Sequence, residues 1–389
     1  MTSRLPFVRI SAFYACYFGA IGVLLPYLAL YLRHAGFQAI AIGQLMAVLM
    51  AMRILAPGVW GWLADSTGQR TVLMRSAAIG APLIFLGVAV GEQFTWLALS
   101  LGLFGCAWAG VLPQFEANTL DHLGEEPQRY GRMRLWGSLG FILAVVTGGL
   151  LFSGERVGLV PMVALGLLAM TAVTTVLTPP AAPRIREHVP GGLWRVLKRR
   201  EVFGLLAGCI LLQASFGPYY VFFTIYLRDL GYSSGTAGLM WAWGAAAEIA
   251  VFAYTPRLLQ RWSAHGLLTA ALAATAVRWL ITACFPSSVS MLLLAQSLHM
   301  ASFGISHAVA VYLVHRYFGG SLQNRGQALY SSLCFGLGGA TGSLMAGYLW
   351  ELQGAMTVWL AAAVLAAAAG VTVWATAPQS GKAIANQAG

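Results

Sequence analysis

Tyr226-Leu227-Arg228-Asp229-Leu230-Gly231-Tyr232 repeats Tyr31-Leu32-Arg33-His34-Ala35-Gly36-Phe37 at an offset of 195 residues. The same offset carries Gly43 onto Gly238 and Arg53 onto Glu248. It also carries Gly131, in Arg129-Tyr130-Gly131-Arg132, onto Gly326, in Asn324-Arg325-Gly326-Gln327. That offset is about half of the 389-residue chain, so the sequence reads as two consecutive versions of one unit. The versions differ where they carry charge: an arginine in the first stands where the second has a glutamate.

Composition names the solvent. Hydrophobic residues make up 59% of the chain and charged residues 9%, with a mean hydropathy of +0.73. A soluble domain is about a quarter charged, so most of this surface is expected to face lipid. Twelve apolar spans are each long enough to cross roughly 30 Å of hydrocarbon as a helix. They cover 7–32, 40–62, 72–91, 94–118, 133–153 and 157–178, then 202–227, 236–255, 266–285, 289–313, 326–349 and 355–376. The expected fold class is all-α integral membrane, with units at 1–178 and 202–378, a linker at 179–201 and a tail at 379–389. Pro179, Pro180, Pro183 and Pro190 keep the linker from being one helix. Its later part, Leu193 to Glu201, sets Arg195, Lys198, Arg199 and Arg200 beside Trp194 and Leu197. This is the pattern of a short amphipathic segment on anionic lipid, or of a solvated basic linker.

The net charge of +11 is spread over alternate loops rather than one basic face, which argues against a nucleic-acid partner. With the N-terminus inside, eighteen of the Lys and Arg residues fall in cytoplasmic segments, and only Arg33, Arg156 and Arg228 fall opposite. Both termini are therefore expected in the cytoplasm of a cell with an inner membrane. The apolar run after the basic head continues through Leu32, so no cleavable leader is expected. Cys16, Cys106, Cys209, Cys284 and Cys334 lie in apolar runs without metal-ligand spacing and read as small hydrophobes. His122, His188 and His265 lie in separate loops with no H-E-x-x-H pattern, so neither a metal, a cofactor nor an enzymatic activity is expected.

Ionisable side chains within the spans cost at least about 2.5 kcal/mol each at mid-bilayer, so each needs a partner or a watery cavity. The set is Arg53, Glu116, Arg134, Glu248, Arg278, His299 and His307. Arg53, Glu248, Arg278 and His299 fall near the middle of their helices. Glu116 and Arg134 lie close to helix ends, where an interfacial salt bridge is the competing account. His307 reads as a packing histidine. Two acids and three arginines leave positive charge over after pairing, which suits an anion.

Twelve helices in two parallel six-helix repeats joined by a long cytoplasmic loop resemble the major facilitator superfamily. Gly61-Trp62-Leu63-Ala64-Asp65-Ser66-Thr67-Gly68-Gln69-Arg70 resembles that family's loop signature, G-x-x-x-D-x-x-G-x-R. The resemblance implies that Asp65 and Arg70 are gating residues; the counterpart from Arg257 to Gly266 has lost the acid. Tyr130-Gly131-Arg132-Met133-Arg134-Leu135-Trp136-Gly137-Ser138, with Glu116 eighteen residues before Arg134, looks like the lactose permease relatives, where such a pair binds sugar. Glu248, Arg278 and His299 match the proton and substrate network of that group. Ser302 stands where those relatives carry a glutamate, and Phe141 where they carry a tryptophan. The phenylpropionate permease branch is similar over nearly the whole chain, through Leu211-Leu212-Gln213-Ala214, Tyr219-Tyr220, Ile225-Tyr226 and Gly231-Tyr232-Ser233. Its members are described as proton symporters of 3-phenylpropionic acid.

The resemblance thus implies a secondary active transporter driven by the proton gradient, with Glu248, His299 and Arg278 in proton coupling. Substrate contacts are expected from Arg53, Glu116, Arg134, Arg278 and Gln213, and from an aromatic wall of Trp136, Phe141, Tyr219, Tyr220 and Trp241. A monomer in contact with anionic lipid at its cytoplasmic face is expected. A sugar or nucleoside proton symporter is the alternative, because Glu116 and Arg134 suit hydroxyl recognition. A proton-driven drug exporter is disfavoured, because 137–149 lacks the proline such proteins carry.

Overall fold

The computed structural model describes residues 6–124, 126, 129–181 and 192–378, apart from the side chains of Asp65, Ser321 and Asn324. The linker from 182 to 191, with His188, and the tail from 379 therefore lie outside the described residues, as does the expected role of the Asp65 carboxylate.

Among the described residues the chain is all α-helical. Its first six long helices are α1 (Phe7–His34), α2 (Ala39–Thr67), α3 (Arg70–Val90), α4 (Phe94–Leu123), α5 (Tyr130–Leu151) and α6 (Val160–Leu177). The second six are α7 (Arg200–Asp229), α8 (Ser234–Phe252), α9 (Ala264–Cys284), α10 (Val289–Tyr317), α11 (323–353) and α12 (Ala355–Thr376). Each matches an apolar run to within a few residues, because length and hydropathy alone decide what can span.

Hydropathy did not show where helices would deform. The helix of α7 is interrupted at Phe216, between Arg200–Ser215 and Gly217–Asp229. A π-helical segment interrupts α10 at Met300–Ile305 and another interrupts α11 at Ser332–Gly338. Beyond α8 a short helix, Thr255–Arg261, bends away by 54°. The amphipathic stretch forms only Leu193–Leu197, with Trp194 exposed.

The repeat is visible in packing. In the first half α1 packs on α5 and α6, α2 on α4, and α3 on α4 and α6. In the second half α7 packs on α11 and α12, α8 on α10, and α9 on α10 and α12. The repeated sequence folds the same way twice. Gly36 and Gly231 take φ of +92° and +84°, each ending a helix in the left-handed region that favours glycine. The Phe37 amide donates to Leu32 at 3.1 Å and the Tyr232 amide to Leu227 at 3.0 Å. Tyr31 donates to the Val88 carbonyl at 3.4 Å, and Tyr226 to the Thr282 carbonyl at 3.1 Å.

Between halves, α2 crosses α11 and α8 crosses α5, again equivalent pairs. A Cβ placed on Gly43 would stand 2.7 Å from the Ser343 carbonyl oxygen, and one on Gly238 2.5 Å from that of Val145. Backbones meet there without side chains between them. At the same end Arg33 Nη1 contacts Asp229 at 2.7 Å, and the Ile40 amide donates to Glu351 at 2.8 Å. The halves are closed at the end that bears the repeated turns.

Candidate functional site

Beyond that closure lies a cavity in two connected chambers. The larger, about 410 Å³, is walled by α1, α2, α4 and α5 of the first half and by α10 and α11 of the second. The smaller, about 200 Å³, lies between α1 and α5 on one side and α7, α8 and α10 on the other. Phe18, Ile21, Leu25 and Arg134 line both chambers, so the Arg134 guanidinium stands at their junction.

Four charged side chains reach this surface: Arg53, Glu116 and Arg134 in the larger chamber, and Glu248 with Arg134 in the smaller. Repeat symmetry carries Arg53 onto Glu248, so the two halves present opposite charges from equivalent helices. Among the described residues no hydrogen bond, ion pair or stacked ring engages the Arg53 guanidinium. Arg134 lies over the Phe18 ring at 3.7 Å and likewise has no carboxylate partner. The Glu116–Arg134 salt bridge that competed with a substrate role is not formed among the described residues. Glu116 instead accepts from the Tyr130 hydroxyl at 2.9 Å, a bond that reaches back from the first turn of α5.

Arg278 is placed differently from expectation. It is fully buried behind the wall rather than in it. Its Nη1 donates to His299 Nδ1 at 2.8 Å and to Ser302 Oγ at 3.0 Å, and its Nη2 to Gln296 Oε1 at 3.1 Å. Tyr219 and Trp279 lie against the guanidinium, each ring centroid 4.4 Å away. Both terminal nitrogens are engaged, its buried Nε has no partner, and the side chain lines neither chamber, so it makes no substrate contact here.

Arg278 does fix its neighbour. A guanidinium only donates, so His299 Nδ1 accepts and the ring proton sits on Nε2. That nitrogen faces Glu248 Oε2 at 3.5 Å. Glu248 keeps 23% of its side chain exposed toward the smaller chamber, against 10% for His299. The three residues therefore form a row, Arg278–His299–Glu248, whose last member alone is substantially wet.

The aromatic wall is partly as expected. Phe141, Tyr219, Tyr220 and Trp241 line the smaller chamber with Phe18 and Phe303. Trp241 is fixed by donating to Thr224 Oγ1 at 3.0 Å. Trp136 is not in the wall; it is 47% exposed on the outside. Two residues beyond Arg134 is about 200° around a helix, so it points away from the side that Arg134 faces. Gln213 is buried between α7 and the π-helical part of α11, beneath Gly338, and also misses the cavity. Arg70 bonds Asp121 at 3.4 Å, tying the α2–α3 turn to the end of α4.

Sequence reasoning missed Gln296 and Ser302 as ligands of Arg278, Tyr130 as the partner of Glu116, and Gln327, Ser331 and Tyr330 around the larger chamber. Spacing could have found some of them. Gln296 and Ser302 stand three residues either side of His299, on its face of the helix, and Tyr130 stands one turn before Arg134. His307, read as packing, lines the larger chamber.

Comparison with known proteins agrees with this fold. The sequence profile of the MFS_1 like family matches residues 7–361. A probable 3-phenylpropionic acid transporter of Escherichia coli (strain K12) is 28% identical over 356 residues, 90% of this chain and 93% of that protein. Maltose permease of Geobacillus stearothermophilus is 30% identical over 352 residues, 87% of this chain and 86% of that one. Among solved structures, a mutant of nucleoside transporter NupG superposes with a TM-score of 0.85 at 16% identity, covering 96% of this chain and 100% of that one, a likeness of fold alone.

Proposed function

The chain belongs to the MFS_1 like family of membrane transporters, and from that premise we propose that it is a proton-coupled symporter taking up a small aromatic carboxylic acid such as 3-phenylpropionate. It is a transporter, not an enzyme. The observation that carries the finer reading is the free Arg53 guanidinium in an aromatic-walled cavity, with Arg134 similarly lacking a carboxylate. An unpaired cation inside a membrane protein is costly, and a substrate carboxylate would relieve the cost. The smaller chamber suits the ring: an apolar cavity of roughly 150 Å³ is enough to hold benzene.

Charge balance supplies the coupling. With both carboxylates ionised, Arg53 and Arg134 offset Glu116 and Glu248. A proton on Glu248 leaves one positive charge over, which a monocarboxylate cancels. Proton and anion are therefore stable in the cavity together and unstable singly. Glu248 is the proton carrier, His299 its fixed hydrogen-bond donor and Arg278 the residue that fixes it. Such loading is electroneutral, whereas each extra proton would add about 2.3 kcal/mol per 100 mV of membrane potential.

In this reading units 1–178 and 202–378 rock about the cavity, and Asp65 and Arg70 steady the cytoplasmic end. The basic loops orient both termini toward the cytoplasm of the inner membrane. The closed end is then the outer one, and the cavity is poised to empty inward. Arg195, Lys198, Arg199 and Arg200 would meet anionic lipid, and one chain contains the whole site.

A sugar or nucleoside substrate is the second reading, favoured by Glu116, whose carboxylate makes no ion pair with Arg134 and can accept from hydroxyls. Proteoliposomes containing a pH-sensitive dye separate the two. Inward 3-phenylpropionate should acidify the lumen in step with uptake, and maltose or uridine should neither compete nor acidify. Acidification by maltose or uridine instead, with none from the acid, would reverse the order of the readings.

A further inference from the structure

We propose that His307, aimed by Tyr330, is a second residue that grips the substrate carboxylate, sharing it with Arg53. This inference rests on the anionic-substrate reading above. His307 lines the same chamber as Arg53, one helix away. Its ring is immobilised: Phe303 stacks on it at 5.5 Å with planes 16° apart, and Phe335 meets it edge-on at 5.8 Å. The π-helical segment of α11 connects the two residues. Phe335 abuts His307, and a Cβ on the adjacent Gly336 would fall 2.9 Å from the Ile54 nitrogen and 3.2 Å from the Arg53 carbonyl carbon. The backbone that holds Arg53 and the ring of His307 are thus braced by neighbouring residues of one segment.

Chemistry fixes the direction of the hydrogen bonds. The Tyr330 hydroxyl is buried and stands 3.1 Å from His307 Nδ1. A phenol is the better donor and an imidazole nitrogen the better acceptor, so the hydroxyl proton lies toward Nδ1. The ring proton then sits on Nε2, for which no protein partner exists among the described residues. A polar N–H on a clamped ring in the wall of a chamber that a free guanidinium also lines is a site for an acceptor carrying negative charge.

The test measures binding of 3-phenylpropanoate and of its neutral amide to the full-length purified protein. His307→Ala should weaken the acid about tenfold, the scale of one hydrogen bond to a charged group, while the amide changes by less than about twofold. His307→Gln, which keeps an N–H at similar reach, should restore most of the acid affinity. Tyr330→Phe should weaken the acid by a smaller factor, again sparing the amide. In uptake assays the loss should fall on KM more than on kcat. Equal loss for acid and amide, or no loss for either, would overturn the assignment to His307. Wild-type protein that binds no aromatic carboxylate would instead overturn the anion reading and this inference with it.

Discussion

Arg278 and Arg53 begin as the same problem, a guanidinium partway along an apolar helix, and end with opposite roles. The terminal nitrogens of Arg278 are held by His299, Ser302 and Gln296, with two aromatic rings beside them, all from its own half. Arg53 is left for a ligand. The sequence marked both as costly but could not say which was paid for internally, because their partners come from other helices. Two outcomes follow at this scale. Glu248→Gln, a neutral side chain in the place of the protonated acid, should abolish proton-driven accumulation while leaving exchange of preloaded substrate. Undiminished uphill uptake would remove Glu248 from the proton role. Arg53→Ala should weaken 3-phenylpropanoate about tenfold to a hundredfold, the range of a charged hydrogen bond, and its amide far less. Matching losses for the two ligands would argue that Arg53 holds the helix rather than the substrate.

Elements were more legible than residues. Every long helix coincides with an apolar run, since a chain in lipid must satisfy its backbone within each span. The turn after α1 and the turn after α7 could be read as one motif because both need glycine at positive φ. The π-helical segments in α10 and α11 could not be read, because hydropathy is blind to a one-residue change in hydrogen-bond register. Nor could the crossings of α2 on α11 and α8 on α5, although their glycines, Gly43 and Gly238, were already paired by the offset. Gly43→Val should force these helices apart, overpacking the closed state by about 1–3 kcal/mol. Hydrogen exchange in 39–47 and 341–349 should then quicken, with reduced uphill uptake. Unchanged exchange in both segments would show that the crossing tolerates side chains and is not a closure.

At the scale of the whole molecule, the two copies meet through a residue in which they differ. Arg33 of the first turn bonds Asp229 of the second, at the position where the first copy has His34. The pair is about two-fifths exposed on each side, so it is worth roughly 0.2–1 kcal/mol. Reversing one charge, Arg33→Asp, loses the attraction and adds a repulsion of similar size, and should shift the closed population by no more than about thirtyfold. Adding Asp229→Arg should restore it, read as the distance between labels on α1 and α7. Failure of the double exchange to recover the single change would mean that the pair does not help close the halves.

Taken alone, the sequence determined that the chain is a membrane protein, roughly where each long helix lies, and that the second half repeats the first. Those properties are local, set by runs of apolar side chains and by glycine in a turn. It also confined the site to seven ionisable residues, since charge in lipid is rare. Only the tertiary structure decided which of these face a shared cavity, which are sealed behind it, and that Glu116 takes a tyrosine in place of Arg134. Partner choice depends on the rotation of each helix against its neighbours, and a near-uniformly apolar span carries little record of which way it turns.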